Sequence, residues 1–449
     1  MHQLNTLIEL LASPLGVGGV TAMGAVLVLA SRSPRLAIWT LALPLFVSTF
    51  GKYRFIKSPY VFPLNYLEAY SRPLFALLLV LLLLIFYTSN HVRTRFRAQR
   101  SSVIFFIFQL YFAALMIFND VENGLLSVPI FSLSFLAAVL LYNQLRTDQW
   151  RMLFVETIAG CGAIFTLACT YQWLLAPQNS VWAGRFIGIT SNSQHTAQFL
   201  ALFIIPSVYL ACSTLQHATI RNVLWMCIAM ECGLLLYTGS RTGILMTLLP
   251  LCVMFRHRSR YLAFAAIGLA VVVVLAVLFV PETQVAAERL TSTQDTRSVL
   301  FTKLWHQFLE NPLFGKMATM TFLGIKRVQI QENSYLMVAS MMGVLGICIF
   351  GAFLATVGGA MRKLYSYPNP TGKPQFRDFI LASLVSILAG AFFEGFLFAI
   401  VGPCYLLLYL YAAMAEDLAQ EPVPNLKRSA MQPSLPIRPP VYPKDVASA

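Results

Sequence analysis

Apolar runs of about the length needed to cross a bilayer recur from one end of this chain to the other, and that recurrence constrains its fold more than any motif. A crossing helix needs about 20 mostly apolar residues. Candidates are Leu15–Ala30, Leu36–Phe50, Leu74–Thr88, Val103–Phe118, Leu125–Tyr142, Met152–Ala176 and Thr196–Cys212. Val223–Tyr237, Thr242–Phe255, Leu262–Val280, Ser334–Val357, Phe379–Phe393 and Phe396–Ala413 follow, several of them short. Only 11% of the 449 residues are charged and 58% are hydrophobic, whereas soluble domains carry about 25% charged residues. The expected fold is therefore an all-α polytopic membrane protein of about twelve to fourteen transmembrane helices.

The net charge of +14 does not imply nucleic acid, which requires a basic patch on a soluble surface. Here the cations punctuate the apolar runs and report topology. By the positive-inside rule, the connections holding Arg32/Arg35, Arg93–Arg100, Arg146/Arg151, Arg256–Arg260 and Arg362–Arg377 are cytoplasmic. Asn119–Gly124, Pro177–Gln194, the turn around Gly239–Arg241 and the long stretch 281–333 then face the opposite side, the periplasm or cell exterior. Gly51–Arg72 breaks the pattern: it carries Lys52, Arg54, Lys57 and Arg72 yet counts as outside. Either a short helix is miscounted there, or that loop has another use.

The eight cysteines all lie in apolar runs, with no CxxC pair and no histidine cluster of zinc spacing, so they read as packing residues and imply no metal. No cleavable signal peptide is expected, because no basic stretch precedes the first apolar run. The residues divide into N-terminal transmembrane helices (1–180), a second transmembrane region that includes the long loop (181–415) and a proline-rich tail (416–449) expected to be extended, disordered and cytoplasmic. No internal repeat of the kind that marks many secondary transporters is visible.

Three segments on the outer side place charge where a membrane protein otherwise avoids it. The first is Gly184-Arg185-Phe186-Ile187-Gly188, followed by Ser191-Asn192-Ser193-Gln194-His195 at the mouth of the next helix. Its glycines allow backbone to approach a ligand closely. Asn192 and His195 are placed to orient a ligand, or equally to cap that helix. The second is Thr238-Gly239-Ser240-Arg241-Thr242-Gly243. It puts Arg241 at a helix start, where the guanidinium fork and the helix N-terminus both favour an anion such as phosphate. The bland alternative for each arginine is a cation snorkelling to lipid headgroups. The third is the long loop, in which Phe301, Leu304, Trp305, Phe308 and Leu309 recur at helical spacing, predicting an amphipathic helix on the membrane. It ends at Glu310-Asn311-Pro312-Leu313-Phe314-Gly315, and Glu332-Asn333-Ser334-Tyr335-Leu336 opens the next span. Its bland role is to cap the bundle; its functional one is to shape an entrance from the lipid.

Gly-Ser-Arg-Thr-Gly, Glu-Asn-Pro-Leu-Phe-Gly and Glu-Asn-Ser-Tyr-Leu, in that order and ahead of Gly343-Val344-Leu345-Gly346, resemble the O-antigen ligase/polymerase family. The likeness spans about Arg185 to Gly346; the first 180 residues add compatible hydropathy alone. The resemblance implies a GT-C-like glycosyltransferase with one large periplasmic loop, in a bacterial inner membrane, acting without metal or cofactor on undecaprenyl-pyrophosphate-linked oligosaccharides. Membrane lipids and other polysaccharide assembly and export proteins are the implied partners.

In such enzymes two arginines hold the pyrophosphate. Arg241 is the firmer match and Arg185 the looser, with Arg289 and Arg297 in reserve and Asn333 and Tyr335 beside the acceptor. Glu332 stands where the ligases carry a histidine proposed to activate the acceptor hydroxyl. A carboxylate can take that proton where burial raises its pKa, although nearby arginines oppose the rise. The bland alternative for Glu332 is a carboxylate complementing a helix dipole, with Asn333 as cap. The Glu-Asn-Ser-Tyr form resembles exopolysaccharide polymerases more than lipopolysaccharide ligases. Glu156 and Glu231, predicted inside helices, and Glu394 near a junction are intramembrane acids with no motif to assign them. A polysaccharide flippase would need charges along a path through the helices, not gathered at one face.

Overall fold

A computed structural model of the protein describes residues 14–50, 60–88, 97–145, 147–213, 217–257, 285, 288, 298–317, 319–322, 325–328, 333–367, 369 and 373–421. Its helices are α1 (Pro14–Arg32), α2 (Pro34–Trp39), α3 (Ala42–Val47), α4 (Leu64–Ala69), α5 (Ser71–Thr88), α6 (Arg100–Asn119), α7 (Val121–Gln144), α8 (Asp148–Leu175) and the single turn α9 (Pro177–Ser180). After a two-stranded ribbon, β1 (Val181–Trp182) and β2 (Arg185–Phe186), come α10 (Ser193–Cys212), α11 (Ala218–Tyr237) and α12 (Arg241–Met254). Next are α13 (Ser298–Glu310), the hairpin β3 (Thr319–Phe322) and β4 (Ile325–Val328), α14 (Ser334–Ser366), α15 (Phe376–Phe393) and α16 (Pro403–Leu418).

Among the described residues, eight helices are long and apolar enough to cross a membrane: α5, α6, α7, α8, α10, α11, α14 and α15. Shorter apolar helices cover Thr21–Arg32, Arg35–Val47 and Arg241–Met254. This is an all-α, multi-pass membrane architecture. The centre of the bundle is α10, buried continuously from Thr196 to Ala211, together with α16, buried from Pro403 to Ala415. Helices apolar on every face belong in such positions. By contrast α11 leaves Val223, Trp225, Met226 and Met230 exposed, which suits a helix on the lipid-facing rim.

Two pairs of contacting helices, α6 with α14 and α12 with α15, run antiparallel and sort their ends. Phe105 and Phe108 of α6 meet Phe353 and Phe350 of α14 at 4.9 and 5.0 Å, so one numbering rises as the other falls. Helices α12 and α15 do the same: Arg256 pairs with Asp378 at 2.9 Å, while Met246 accepts a hydrogen bond from Ser386 Oγ at 2.7 Å. The predicted basic turns gather at one end. There Arg256 lies over the Tyr365 ring, Arg151 over Phe376, and the Glu416 carboxylate accepts from Ser101 N and Oγ at the start of α6. A carboxylate at a helix N-terminus is favoured by the aligned peptide dipoles.

Four local features differ from expectation. The run Leu36–Phe50 is two short helices, α2 and α3, parted at Thr40–Leu41. The span from Ser334 is longer than its apolar core and is broken at Gly343, whose φ of 66° and ψ of −162° are not helical. A β3–β4 hairpin, with Thr319 opposite Val328, interrupts the long loop. The run Phe396–Ala413 is not one span either: a single 3-10 turn, Phe396–Phe398, precedes α16, which begins only at Pro403, while the expected amphipathic helix is present as α13. Leu262–Val280 and the proline-rich segment after Glu421 lie outside the described residues.

Candidate functional site

The end of the bundle opposite the basic turns collects the motifs. Arg185 stands on β2, just after a tight turn in which Ala183 and Gly184 both have positive φ, 48° and 70°. Two-residue hairpins that match strand twist need that geometry, and Gly supplies it without steric cost. The ribbon is fixed by its aromatic neighbour: Phe186 stacks on Tyr237 at 5.7 Å, and Trp173 closes edge-on against both. Tyr237 is the last residue of α11, so this packing carries Arg185 to the next residue along. Arg185 Nε donates to the Thr238 carbonyl at 2.7 Å, three positions before Arg241.

The Thr-Gly-Ser-Arg turn is built to hold Arg241 at the head of α12. Gly239 takes a φ of 61°, Ser240 N donates to Thr238 Oγ1, and Ser240 Oγ caps the helix by accepting from Gly243 N at 3.2 Å. Arg241 itself is exposed. Gly243 allows α12 to lie against the start of α10, since a Cβ there would sit 2.6 Å from Ala197 Cβ. His195, exposed, and Asn192 are therefore beside the same turn, and Asn192 Oδ1 accepts from Gln194 N as the cap of α10.

A third helix begins at this end. Asn333, buried and at φ 77°, caps α14 by accepting from Leu336 N at 3.0 Å. Ser334 ties α14 to the exit of α15, donating from N and from Oγ to the Glu394 carbonyl at 3.2 and 2.6 Å. Tyr335 is half-buried and donates its hydroxyl to the Leu388 carbonyl at 2.9 Å. Both the Asn333 amide and the Tyr335 hydroxyl thus serve helix packing in this structure. Glu332, Arg289 and Arg297 lie outside the described residues.

The Asn-Pro-Leu-Phe-Gly turn does something its sequence did not announce. It seats in the break of α14: Val344 N donates to the Pro312 carbonyl at 2.7 Å and Lys316 N to the Ser340 carbonyl at 2.8 Å. The broken helix leaves backbone groups without intrahelical partners, and this turn supplies them. Gly315 and Gly343 make the fit, because a Cβ on either would come within 2.4 Å of the other segment's backbone. The visible signal was the pair of glycine motifs, Phe314-Gly315 and Met342-Gly343; nothing in either shows that they interlock.

The basic segment that broke the charge pattern also reaches this end. Tyr60 donates its hydroxyl to the Ile189 carbonyl at 2.9 Å, Val61 N donates to Gln172 Oε1, and the Phe62 carbonyl accepts from Tyr171. Of the intramembrane acids, Glu231 is fully buried beside Gly162, and Glu156 is half-buried on α8. Glu394 lies at the site end, 5% exposed. Among the described residues no group of three or more His, Cys, Asp or Glu side chains is arranged to hold a metal ion.

Two cations and the starts of α10, α12 and α14 thus share one end of the bundle. Helix N-termini and guanidinium groups both attract anions, so the arrangement suits a multiply charged oxyanion such as a diphosphate. The sequence matches no known protein-family model and no curated protein.

Proposed function

We propose that the protein is a metal-independent, inverting glycosyltransferase of the O-antigen ligase/polymerase type, with the GT-C arrangement of about twelve to fourteen spans. It joins undecaprenyl-pyrophosphate-linked oligosaccharide repeat units into an exopolysaccharide or O-antigen chain at the periplasmic face of a bacterial inner membrane. The observation that carries this reading is the tie of Arg185 to the turn that presents Arg241, at an end where helices begin.

In the proposed reaction the acceptor hydroxyl attacks the anomeric carbon of the donor as the carbon–oxygen bond to the diphosphate breaks. Arg185 and Arg241 take up the charge that grows on the departing diphosphate. Preorganised donors in a water-poor site contribute about 10²- to 10³-fold each to such steps. Glu332 takes the hydroxyl proton, and attack opposite the leaving group inverts the carbon. Glutamate in place of the ligase histidine favours the polymerase over the sister reading, a ligase transferring finished glycan to lipid A core or protein. Cations gathered at one end, not strung through the helices, disfavour a flippase.

Purified protein incubated with synthetic undecaprenyl-pyrophosphate oligosaccharide, alone and with lipid A core, decides among them. A ladder of longer products from the lipid-linked donor alone is expected. Core-dependent single transfer would make it a ligase, and no transfer in either mixture, or full turnover by Arg241→Ala, would defeat the reading.

A further inference from the structure

We infer that Trp182 is a sugar-binding surface of this same site: its indole face stacks on the pyranose ring joined to the diphosphate that Arg185 and Arg241 hold. The inference rests on the reading proposed above and adds to it a residue that no motif indicated.

The register of the ribbon places it. Trp182 pairs directly with Arg185, and Val181 with Phe186. Successive residues of a strand point to opposite faces, so Val181 and Phe186 share one face and Trp182 and Arg185 the other. The first face belongs to the fold: Phe186 is fully buried against Tyr237 and Trp173. The second is open, and Trp182 is 58% exposed. Residues directly opposite one another on a ribbon hold their Cβ atoms about 4.5–5.5 Å apart, close to the width of one sugar ring. An indole and a guanidinium therefore leave the ribbon side by side. The long loop returns to the same turn, since a Cβ on Gly184 would stand 2.7 Å from Val285 Cβ. The tip is thus held between bundle and loop while the indole stays exposed.

Height across the bilayer selects the sugar over the lipid tail. Between Arg151, at the basic end, and Leu175, α8 rises about 36 Å, whereas the hydrocarbon core is about 30 Å thick. The ribbon follows α8 after the single turn α9, so it stands at the level of the headgroups or beyond. There a lipid-linked diphosphate carries its first sugar, and the prenyl chain runs the other way. The face of an aromatic ring is electron-rich and attracts the polarised C–H groups on the apolar side of a pyranose, while the guanidinium beside it takes the phosphate. The bland use of an exposed tryptophan here is as an anchor in the headgroup layer, which asks for an apolar body and no sugar.

The test measures the binding of two lipids to wild type, Trp182→Leu, Trp182→Phe and Arg241→Ala. One lipid is undecaprenyl diphosphate without sugar; the other is lipid-linked oligosaccharide extracted from the organism that encodes the protein. Wild type is expected to bind the sugar-bearing lipid more tightly than the bare one. Trp182→Leu keeps an apolar side chain for the headgroup layer, and should lose about ten-fold on the sugar-bearing lipid while keeping its affinity for the bare one. That retained affinity shows in the same samples that the site is folded. Trp182→Phe retains an aromatic face and should recover most of the loss; Arg241→Ala should lose both lipids. Several results overturn the inference and leave the diphosphate reading standing: wild type binding the two lipids equally, Trp182→Leu matching wild type on the sugar-bearing one, Trp182→Phe as weak as Trp182→Leu, or a loss that falls equally on both lipids, as an anchor or a prenyl contact would give. Wild type that binds neither lipid overturns both.

Discussion

Replacing Gly343 by alanine should unfold the site end of α14 more than any other methyl group added to that helix. Its φ of 66° and ψ of −162° lie in a region that is essentially reserved for glycine, where a side chain costs about 1–3 kcal/mol. The new Cβ would also stand 2.4 Å from the Leu313 carbonyl oxygen, 2.5 Å from its carbon and 2.6 Å from Gly315 N. All three are backbone atoms, so no rotamer change relieves the overlap and the turn must withdraw. Withdrawal breaks the Val344–Pro312 and Lys316–Ser340 hydrogen bonds, each worth about 1 kcal/mol net. The sum is a loss of about 3–5 kcal/mol. The internal control is Gly351→Ala on the same helix, where an added Cβ meets nothing within 4 Å; helix propensity makes that change neutral or up to about 1 kcal/mol stabilising. Unfolding free energies from denaturing-detergent titration in mixed micelles, followed by circular dichroism, measure both. A Gly343→Ala protein as stable as wild type, or a Gly351→Ala protein equally damaged, would refute the interlocked turn.

At the basic end, Asp378→Asn should cost about 3–5 kcal/mol, because Arg256 and Asp378 are 10% and 3% exposed as side chains and the substitution leaves a buried guanidinium uncompensated. The same titration reads it, and a loss below about 1 kcal/mol, the range of an exposed pair, would contradict the burial argument. Within the bundle, Gly162→Ala would put a Cβ 2.5 Å from Phe203 Cβ and 3.0 Å from Glu231 Oε1. Overpacking of that kind costs about 1–3 kcal/mol, and a neutral result would mean that α8 and α10 can separate freely there.

Spans and their sorting were largely readable because hydropathy and the placement of arginine act through bulk properties of the bilayer, which no tertiary detail overrides. The basic turns at Arg100, Arg151 and Arg256 fell at one end as their spacing required. The asparagine caps at Asn192 and Asn333 were also readable, since a short polar side chain before an apolar run has few other uses. What stayed hidden depends on contacts between distant segments. The break at Gly343 looks like one more small residue in a transmembrane run until Pro312 and Gly315 are brought to it. The Tyr60–Ile189 bond joins residues 129 apart in sequence, and it is this bond that carries part of the anomalous Gly51–Arg72 segment to the site. Glu394 was visible as an acid near a junction, but its partner Ser334 lies 60 residues away, and no local pattern encodes that pairing.

Arg185 is where the bland and functional readings separate most cleanly. A cation at the end of the bundle away from the basic turns runs against the positive-inside bias, and the bland account is that its long stem lets the head snorkel to lipid phosphates. That account needs charge and reach, both of which lysine supplies. The structure gives Arg185 something lysine cannot copy: Nε is bonded to the Thr238 carbonyl while the ribbon beneath it is pinned by Phe186 on Tyr237. The planar fork can therefore stay fixed through Nε and still address an anion with its terminal nitrogens. The single ammonium of Arg185→Lys must choose between the carbonyl and the anion. Snorkelling thus predicts unchanged affinity for undecaprenyl diphosphate in Arg185→Lys, whereas a preorganised clamp predicts binding weaker by about ten-fold with an unchanged melting midpoint. Equal affinity of the two proteins would return Arg185 to the lipid interface and leave Arg241 as the one cation of the proposed site among the described residues.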